Sequence, residues 1–200
     1  MKRTFAEAVL NRRTNYTLSN SSTLSDKQLE ELLHFAVLNC PSAFNMQSAR
    51  TALLLGDNHK RLWTMVLDAL RAIVPAEAFA ATEQRVTGSF LPGYGTVLFF
   101  EDQSVIAGYQ KQYFMYADNF PLWSNQASGM LQFTVWTMLE DAGMGASLQH
   151  YNPLIDKQVA ETWHIDPNWK LLSQMPFGVP TAPPAAKTFL PVEPRVKIFK

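Results

Sequence analysis

Residues 123–152 read WSNQASGMLQFTVWTMLEDAGMGASLQHYN, and this stretch decides the fold. Up to Leu139 its apolar side chains point in almost every direction around a helix axis, so a single apolar stripe does not describe them. Such a helix must be buried on several sides, either within its own chain or partly against a second copy of the chain. An ordinary core helix accounts for the periodicity equally well.

A glycine-rich turn follows this helix. Gly143 and Gly145 flank Met144, and small residues of this kind let a backbone approach a ligand closely. Gly143 also suits the left-handed position that ends a helix. The turn is therefore either a plain connection from helix to strand or part of a site for a flat ligand.

Composition narrows the class of protein. The chain has 17 basic and 17 acidic residues and no basic run, which argues against nucleic acid as a partner. Its 200 residues are 47% hydrophobic, enough for one domain over residues 1–200, and no apolar run is long enough to cross a membrane. A charged start and a single cysteine favour a cytoplasmic location.

Local signals predict the helices and strands. Thr4 with Glu7, and Ser25 with Gln28, have the spacing of capping boxes and start two helices, the first of which ends near Arg12. Further helices are predicted at 59–74, 76–86, 103–116 and 155–163, and strands at 50–55, 96–100, 146–148 and 171–175.

The C-terminal part, residues 176–200, differs in composition from the rest. Its proline-rich segment 176–194 predicts an extended arm that forms neither a helix nor an internal strand. The alternation in 195–199 fits an edge strand, paired either with the sheet of its own subunit or with that of a partner.

Three clusters offer groups that suit a phosphorylated ligand. Arg12, Arg13 and Thr14 place two guanidinium groups and a hydroxyl together, as a phosphate requires, although arginines at a helix end are more often solvated. The loop 41–47, PSAFNMQ, supplies a hydroxyl and two amides, or simply ends a helix. Lys187 either reaches a phosphate from the arm or is solvated.

Five segments in order carry a family resemblance that spans essentially the entire chain. They are NRRT at 11–14, PSAFNMQ at 41–47, GTVLFFED at 95–102, GASLQHYN at 145–152 and MPFGVP at 175–180. Together they resemble the nitroreductase-like FMN flavoproteins, in particular the compact branch found in bacteria and fungi. The resemblance implies an α+β fold with a central mixed, mostly antiparallel sheet flanked by helices. It also implies a homodimer formed through the long helix and an exchanged C-terminal arm.

The same resemblance implies how FMN is held. Arg12, Arg13 and Thr14 lie on the phosphate side with Lys187, Asn45 and Gln47 contact the ribityl chain and ring, and Ser42 reaches the flavin of the other subunit. The stretch Leu148, Gln149 and His150 lies along one ring face and supplies a backbone N–H toward the flavin N5.

The implied activity is transfer of hydride from NADH or NADPH to FMN, and then of electrons to a nitroaromatic, quinone or similar small aromatic acceptor, in a ping-pong scheme. The cofactor performs this chemistry, so no protein acid or base is obligatory, and water or His150 supplies protons. The alternative is an FMN-binding regulatory or stress-response protein whose turnover is incidental.

Two departures from the family pattern concern charge. Tyr16 stands where many relatives have a lysine near the flavin pyrimidine, and Phe189 stands where a second basic residue often follows the arm lysine. Neutralisation of the phosphate would then depend on Arg13 or Arg195.

Other chemistries have weaker signals. Cys40 with His34 or His150 could form a nucleophilic pair, but a structural thiol is the simpler interpretation. The four histidines lack metal-ligand spacing, and Glu101 and Asp102 are expected to be loop residues that follow a strand.

Overall fold

The computed structural model describes residues 4–200, so the charged start at residues 1–3 lies outside the described part. The α-helices are α1 (Phe5–Asn11), α2 (Asp26–Asn39), α3 (Asp57–Arg71), α4 (Ala76–Ser89), α5 (Gln103–Gln112), α6 (Phe120–Asp141) and α7 (Asp156–Trp163). Short 3-10 turns lie at Ala43–Asn45, Phe114–Asn119 and Glu193–Arg195. None of the described helices is both long and apolar enough to span a bilayer.

Both predicted capping boxes are confirmed. The Thr4 side chain accepts from the Glu7 N–H while the Glu7 carboxylate accepts from the Thr4 N–H at 2.7 Å. Ser25 and Gln28 make the same reciprocal pair at the start of α2. These bonds satisfy backbone donors that have no partner inside a helix, which is why the helices begin at these residues.

The central sheet has four strands, β1 (Ala49–Leu55), β2 (Gly95–Asp102), β3 (Gly145–Ala146) and β4 (Trp169–Gly178), in the order β1-β2-β4-β3. All neighbouring strands are antiparallel, and an isolated parallel bridge joins Thr14 to Ala146. The predicted mixed, mostly antiparallel sheet flanked by helices is therefore confirmed.

Two predictions at strand ends were wrong. β4 continues past residue 175 to Gly178 as an internal strand, with Pro176 opposite Thr96. Proline lacks an N–H, but the Pro176 carbonyl still accepts from the Ser147 N–H at 3.2 Å, so the residue fits between two strands. Likewise, Glu101 and Asp102 are the last residues of β2 and are buried, not loop residues.

Helices cover both faces of the sheet. On one face α2 packs on β1 and α6 packs on β1 and β2, with Leu29, Leu33, Val97, Phe99, Leu131, Val135 and Leu139 in the core. On the other face α3, α4 and α7 form a second core with Trp63, Val66, Val86, Phe90, Leu98, Phe100 and Val159. β2 is buried along its whole length because it lies between these two cores.

The long helix α6 is buried mainly along one side, although Thr137 on another side is buried as well. Ala127, Leu131, Val135 and Leu139 face the core, whereas Met130 and Phe133 remain exposed. The contacts of its own subunit therefore leave part of this all-round apolar helix uncovered.

The C-terminal arm is exposed from residue 181 to the end of the chain. It includes large apolar side chains such as Phe189, Ile198 and Phe199, which are 75%, 75% and 93% exposed. Residues 195–199 form no strand with the sheet of their own subunit, so that one of the two predicted pairings is wrong.

Candidate functional site

The segment after α1 runs beside β3. The Asn15 N–H donates to the Ala146 carbonyl at 2.9 Å, next to the parallel bridge between Thr14 and Ala146. This segment and β3 approach so closely that a Cβ added at Gly145 would lie 2.9 Å from the Asn15 Cβ. Glycine is required here because any side chain would push the segment away.

The two arginines of this segment have different surroundings. The Arg12 guanidinium carbon lies 4.5 Å from the ring centroid of Trp136 on α6, and the Arg12 Nε is buried without a hydrogen-bond partner among the described residues. Burial and the neighbouring Arg13 lower the pKa of Arg12, against the opposite effect of Glu140. Arg12 remains a cation with a buried donor to satisfy.

Arg13 instead faces a cleft of about 670 Å³ that lies between α1, β3 and the start of the arm. Its Nη2 donates to the Ala185 carbonyl at 2.7 Å, so this guanidinium holds the arm against its own subunit. In an extended segment successive side chains point to opposite sides, which explains why Arg12 and Arg13 diverge.

The other predicted phosphate ligands lie along the arm. Lys187 is exposed, with its ammonium nitrogen 5.0 Å from the ring centroid of Phe189. Arg195 donates to the carbonyls of Leu190 and Pro191, both at 3.1 Å, and so folds back on its own segment. Arg13 thus contacts the arm two residues before Lys187, whereas Arg195 is engaged elsewhere.

The turn after β3 is fixed to β4 by backbone bonds. The Gln149 N–H donates to the Gln174 carbonyl at 2.7 Å, and the Gln174 N–H donates back at 2.9 Å. The Gln174 side chain also accepts from the Tyr151 N–H at 2.8 Å, a contact that the sequence did not predict. Leu148 is half-buried and His150 is exposed, so these two flank the anchored residue.

The loop at 41–47 has an unusual backbone. Phe44, Asn45 and Gln47 have φ angles of 55°, 54° and 51°, in the left-handed region that residues with a side chain rarely adopt. The Ser42 hydroxyl closes the loop by accepting from the Gln47 N–H at 2.9 Å. Such strain persists only where the surrounding structure enforces it, and it clusters at functional sites.

The Phe44 ring anchors the loop in an aromatic cluster. It stacks on Trp123 at a centroid distance of 5.7 Å and also contacts Tyr113, Tyr116 and Phe120. Trp123 therefore makes ring contacts within its own subunit. Phe44 is still 46% exposed, so the cluster has an open side next to the strained loop.

Beneath this loop lies a buried carboxylate that the sequence analysis missed. Glu101 is 1% exposed, its Oε2 accepts from the Ser48 hydroxyl at 2.5 Å, and its Oε1 has no partner among the described residues. Burial raises the pKa of Glu101 to about 7, although Ser48 and Arg50 act in the opposite direction.

The neighbouring Asp102 has a structural role. Arg50 pairs with it at 3.0 Å, and it caps α5 by accepting from the N–H groups of Ser104 and Val105. Burial alone would raise the pKa of Asp102, but these donors and Arg50 lower it overall.

Cys40 behaves as a structural thiol. Its Sγ contacts the Ala127 carbonyl at 3.8 Å, and burial, followed by the charge of Glu101, raises the pKa of the thiol. A nucleophilic cysteine needs the opposite shift. In the described part of the chain no group of three or more metal-ligating side chains comes together.

The two groups of predicted ligands contact different parts of α6. Arg12 packs on Trp136, whereas the loop at 41–47 lies near Ala127 and Trp123. Ala127 and Trp136 are nine residues apart, or about 14 Å along a helix. Within residues 4–200 the structure records no hydrogen bond or ring contact that joins Ser42, Asn45 or Gln47 to the arginine segment.

The chain is similar to known nitroreductases over most of its length. The model of the nitroreductase family matches residues 9–179. Nitroreductase FRM2 of Saccharomyces cerevisiae is 34% identical over 188 residues, which cover 93% of each chain. The nitroreductase CinD of Lactococcus lactis, solved in complex with chloramphenicol, is 41% identical, with a TM-score of 0.89 and coverage of 98% of this chain and 100% of its own.

A more distant structure shares the fold alone. It is a putative nitroreductase from Exiguobacterium sibiricum, solved in complex with FMN, which is 14% identical with a TM-score of 0.73 over 98% of both chains. The family match and the two closer relatives, each aligned over nearly their full length, carry the assignment. The chain belongs to the nitroreductase family of oxidoreductases.

Proposed function

We propose that this protein is an FMN-dependent oxidoreductase that passes electrons from NADH or NADPH to nitroaromatic, quinone or similar acceptors. The observation that carries the proposal is the 41% identity to the Lactococcus enzyme, which was solved with chloramphenicol and with 4-nitrophenol. Both molecules contain a nitrophenyl ring. The same enzyme was also solved with nicotinic acid, whose pyridine ring is shared with nicotinamide.

The residues after α1 fit the phosphate of FMN. The buried Arg12 Nε has no partner among the described residues, and a phosphate oxygen would satisfy it with a charge-assisted bond. By the alternation of extended backbone, the Thr14 hydroxyl points to the same side as Arg12. Arg13 and Lys187 add positive charge from the cleft and the arm, with Arg195 as a further candidate.

The remaining ligands fit the ribityl chain and ring. Asn45 and Gln47 carry amides on an exposed loop, and Gln174 holds the turn at 148–150 rigid. Because the Gln149 N–H is already bonded to Gln174, the N–H offered to the flavin N5 comes from Leu148 or His150. When bound, FMN supplies the centre that accepts hydride and passes electrons on, so donor and acceptor use one site in turn.

His150 has a further role in this scheme. Its imidazole is exposed beside the turn, where it can hold a proton for the reduced acceptor together with water. No other protein acid or base is needed, because the cofactor carries out the redox chemistry.

The proposed assembly is a homodimer. Phe5, Phe35 and Phe133 line an apolar groove of about 330 Å³ on the α1, α2 and α6 surface, and the arm exposes further large apolar side chains. Exposed apolar surface of this extent is typical of an interface. In a homodimer the loop at 41–47 of one subunit would complete the arginine site of the other, with Ser42 at the shared flavin. The arms would be exchanged beyond Ala185, which Arg13 holds to its own subunit.

The first test is an absorbance spectrum of the purified protein, followed by anaerobic addition of NADH and then NADPH. We expect flavin bands that bleach with at least one donor and return on addition of 4-nitrophenol or a quinone. Bands that persist with both donors would favour the regulatory alternative, and a protein that cannot be loaded with FMN would refute the cofactor assignment. Sedimentation equilibrium tests the homodimer, which a monomer at micromolar concentration would refute.

A further inference from the structure

A buried acid lies at the point where the strained loop joins the sheet. We propose that Glu101 is a positioning residue that holds the loop at 41–47 through Ser48, and so presents Asn45 and Gln47 to the cofactor. This inference rests on the proposed function, because it assigns a role to a residue behind the same site.

Ser48 is the connection between the loop and the end of β2. It directly follows Gln47, the last residue of the loop with a left-handed backbone, and its side chain is buried. Its hydroxyl donates to Glu101, and its backbone carbonyl accepts from the Asp102 N–H at 2.9 Å. The hydroxyl and the carbonyl of Ser48 are therefore bonded to adjacent residues of β2.

This attachment holds the Gln47 end of the loop together with Arg50, whose Nη1 donates to the Gln47 carbonyl at 2.8 Å, while the Phe44 ring holds the middle of the loop in the aromatic cluster. Within the loop, Gln47 donates to Ser42 and Asn45 donates to the Ser42 carbonyl, but these bonds join loop residues only to one another. Three left-handed residues with side chains are strained, and such a backbone persists only where neighbouring contacts enforce it. Loss of the Ser48 bond would let the loop relax and move both amides.

The strength of the bond between Ser48 and Glu101 depends on whether the Glu101 carboxylate is ionised. The charged and titratable groups near Glu101 are Arg50 from β1, Asp102 on its own strand, Cys40 at the end of α2 and the exposed Lys170, its register partner on β4. Helix α6 brings the Ala127 carbonyl to Cys40. Arg50 is already paired with Asp102. Glu101 consequently changes protonation near neutral pH, and an ionised carboxylate binds the Ser48 hydroxyl more strongly than a neutral acid or amide does.

The test compares wild type with Glu101→Gln, whose amide is similar in shape and cannot ionise. FMN is titrated into both apoproteins at pH 6 and pH 8, and the ratio of the two dissociation constants is taken at each pH, so that titration of the FMN phosphate cancels. We expect a ratio near one at pH 6 and about fivefold weaker binding by the variant at pH 8. A ratio that does not change with pH overturns the proposal.

Two further variants separate positioning from general damage. Ser48→Ala removes the same bond from its other end, so its effect at pH 8 should not add to that of Glu101→Gln in the double variant. Asp156→Asn is the matched control, because Asp156 is also a partly buried acid with an unpaired oxygen and a pKa raised by burial, but lies on α7. Fully additive effects, or an equal pH-dependent ratio for Asp156→Asn, would contradict the assignment.

A readout without cofactor keeps the inference separate from the proposed function. Amide hydrogen exchange of residues 42–47 in the apoprotein at pH 8 should be several times faster in Glu101→Gln and Ser48→Ala than in wild type or Asp156→Asn. Unchanged exchange refutes the role of Glu101 even if FMN binds. Faster exchange in a protein that never binds FMN would support the attachment of the loop and refute the proposed function instead.

Discussion

Substitution of Thr96 by valine should destabilise the protein strongly although it changes almost no volume. Thr96 lies on β2, where its hydroxyl is 2.8 Å from the His59 Nδ1 and accepts from the Trp63 Nε1–H at 3.0 Å. All three residues are at most 1% exposed. The second ring nitrogen of His59 lies 3.2 Å from the Leu91 carbonyl, so it carries the proton and the Nδ1 accepts from Thr96.

The magnitude follows from the number of groups left without a partner. Valine has the shape of threonine but no hydroxyl, so Thr96→Val leaves the Trp63 N–H and the His59 Nδ1 unpaired in the core. Each buried unpaired polar group costs about 1 to 3 kcal/mol, so we expect a loss of about 2 to 6 kcal/mol. That loss is a large part of the stability of a typical domain.

Urea unfolding followed by tryptophan fluorescence and circular dichroism measures this loss. The control is Thr64→Val on α3, where the hydroxyl bonds only to the Lys60 carbonyl on the exposed side of the helix. The control should lie within about 0.5 kcal/mol of wild type. If the free energy of unfolding of Thr96→Val is also within about 0.5 kcal/mol of wild type, the bonds among Thr96, His59 and Trp63 do not stabilise the core and the argument fails.

Three further predictions concern charge. Because the pKa of Glu101 is raised from 4.5 to about 7, its contribution to stability is complete below pH 4.5 and is lost as the pH rises through 7. Relative to Glu101→Gln, the free energy of unfolding of wild type should therefore fall by about 3 kcal/mol between pH 4.5 and pH 8, as urea curves of both proteins will show, because global unfolding hydrates the carboxylate and this gain exceeds what the ionised group gains from Ser48 in the folded protein. Arg13→Ala and Lys187→Ala should each weaken FMN binding by about 1 to 3 kcal/mol in a fluorescence titration, and an unchanged dissociation constant in both would refute the phosphate assignment. The Arg85 guanidinium lies 5.0 Å from the ring centroid of Tyr16, the residue that stands where many relatives have a lysine near the flavin pyrimidine, so Arg85 can supply the positive charge there. Arg85→Gln should therefore lower the reduction potential of bound FMN, whereas Arg71→Gln, a surface control, should leave it unchanged.

The sequence predicted those helix starts and strands that are determined by neighbouring residues in the chain. The helix starts at Thr4 and Ser25 depend on side chains three residues apart, so the sequence contains all the information. The buried strand at 96–100 was likewise visible as an uninterrupted apolar run, and the structure extends it to Gly95–Asp102. Element ends were less accurate because neighbouring strands, not local residues, determine how far pairing continues.

The arrangement of the site depended on contacts that are distant in the sequence. Arg12 and Arg13 diverge because the segment after α1 pairs with Ala146, more than 130 residues later. The burial of Glu101 results from its position in β2, between Ala49 of β1 and Lys170 of β4, and its hydroxyl partner Ser48 is more than 50 residues earlier. The left-handed Phe44 had no local signal at all, since its conformation is held by ring contacts with α6 and its neighbours.

The half-covered helix α6 connects the sequence pattern to the proposed assembly. The sequence requires burial on several sides, and the subunit covers the side of Leu131 and Val135 and also Thr137, yet Met130 and Phe133 remain exposed. The arginine segment and the loop at 41–47 contact this helix at points about 14 Å apart along its axis, and no hydrogen bond or ring contact recorded in residues 4–200 joins them. A second copy packed on this face would bury the exposed residues and supply the missing loop. One interface would then account for both the excess of apolar residues on α6 and the separation of the proposed cofactor ligands along it.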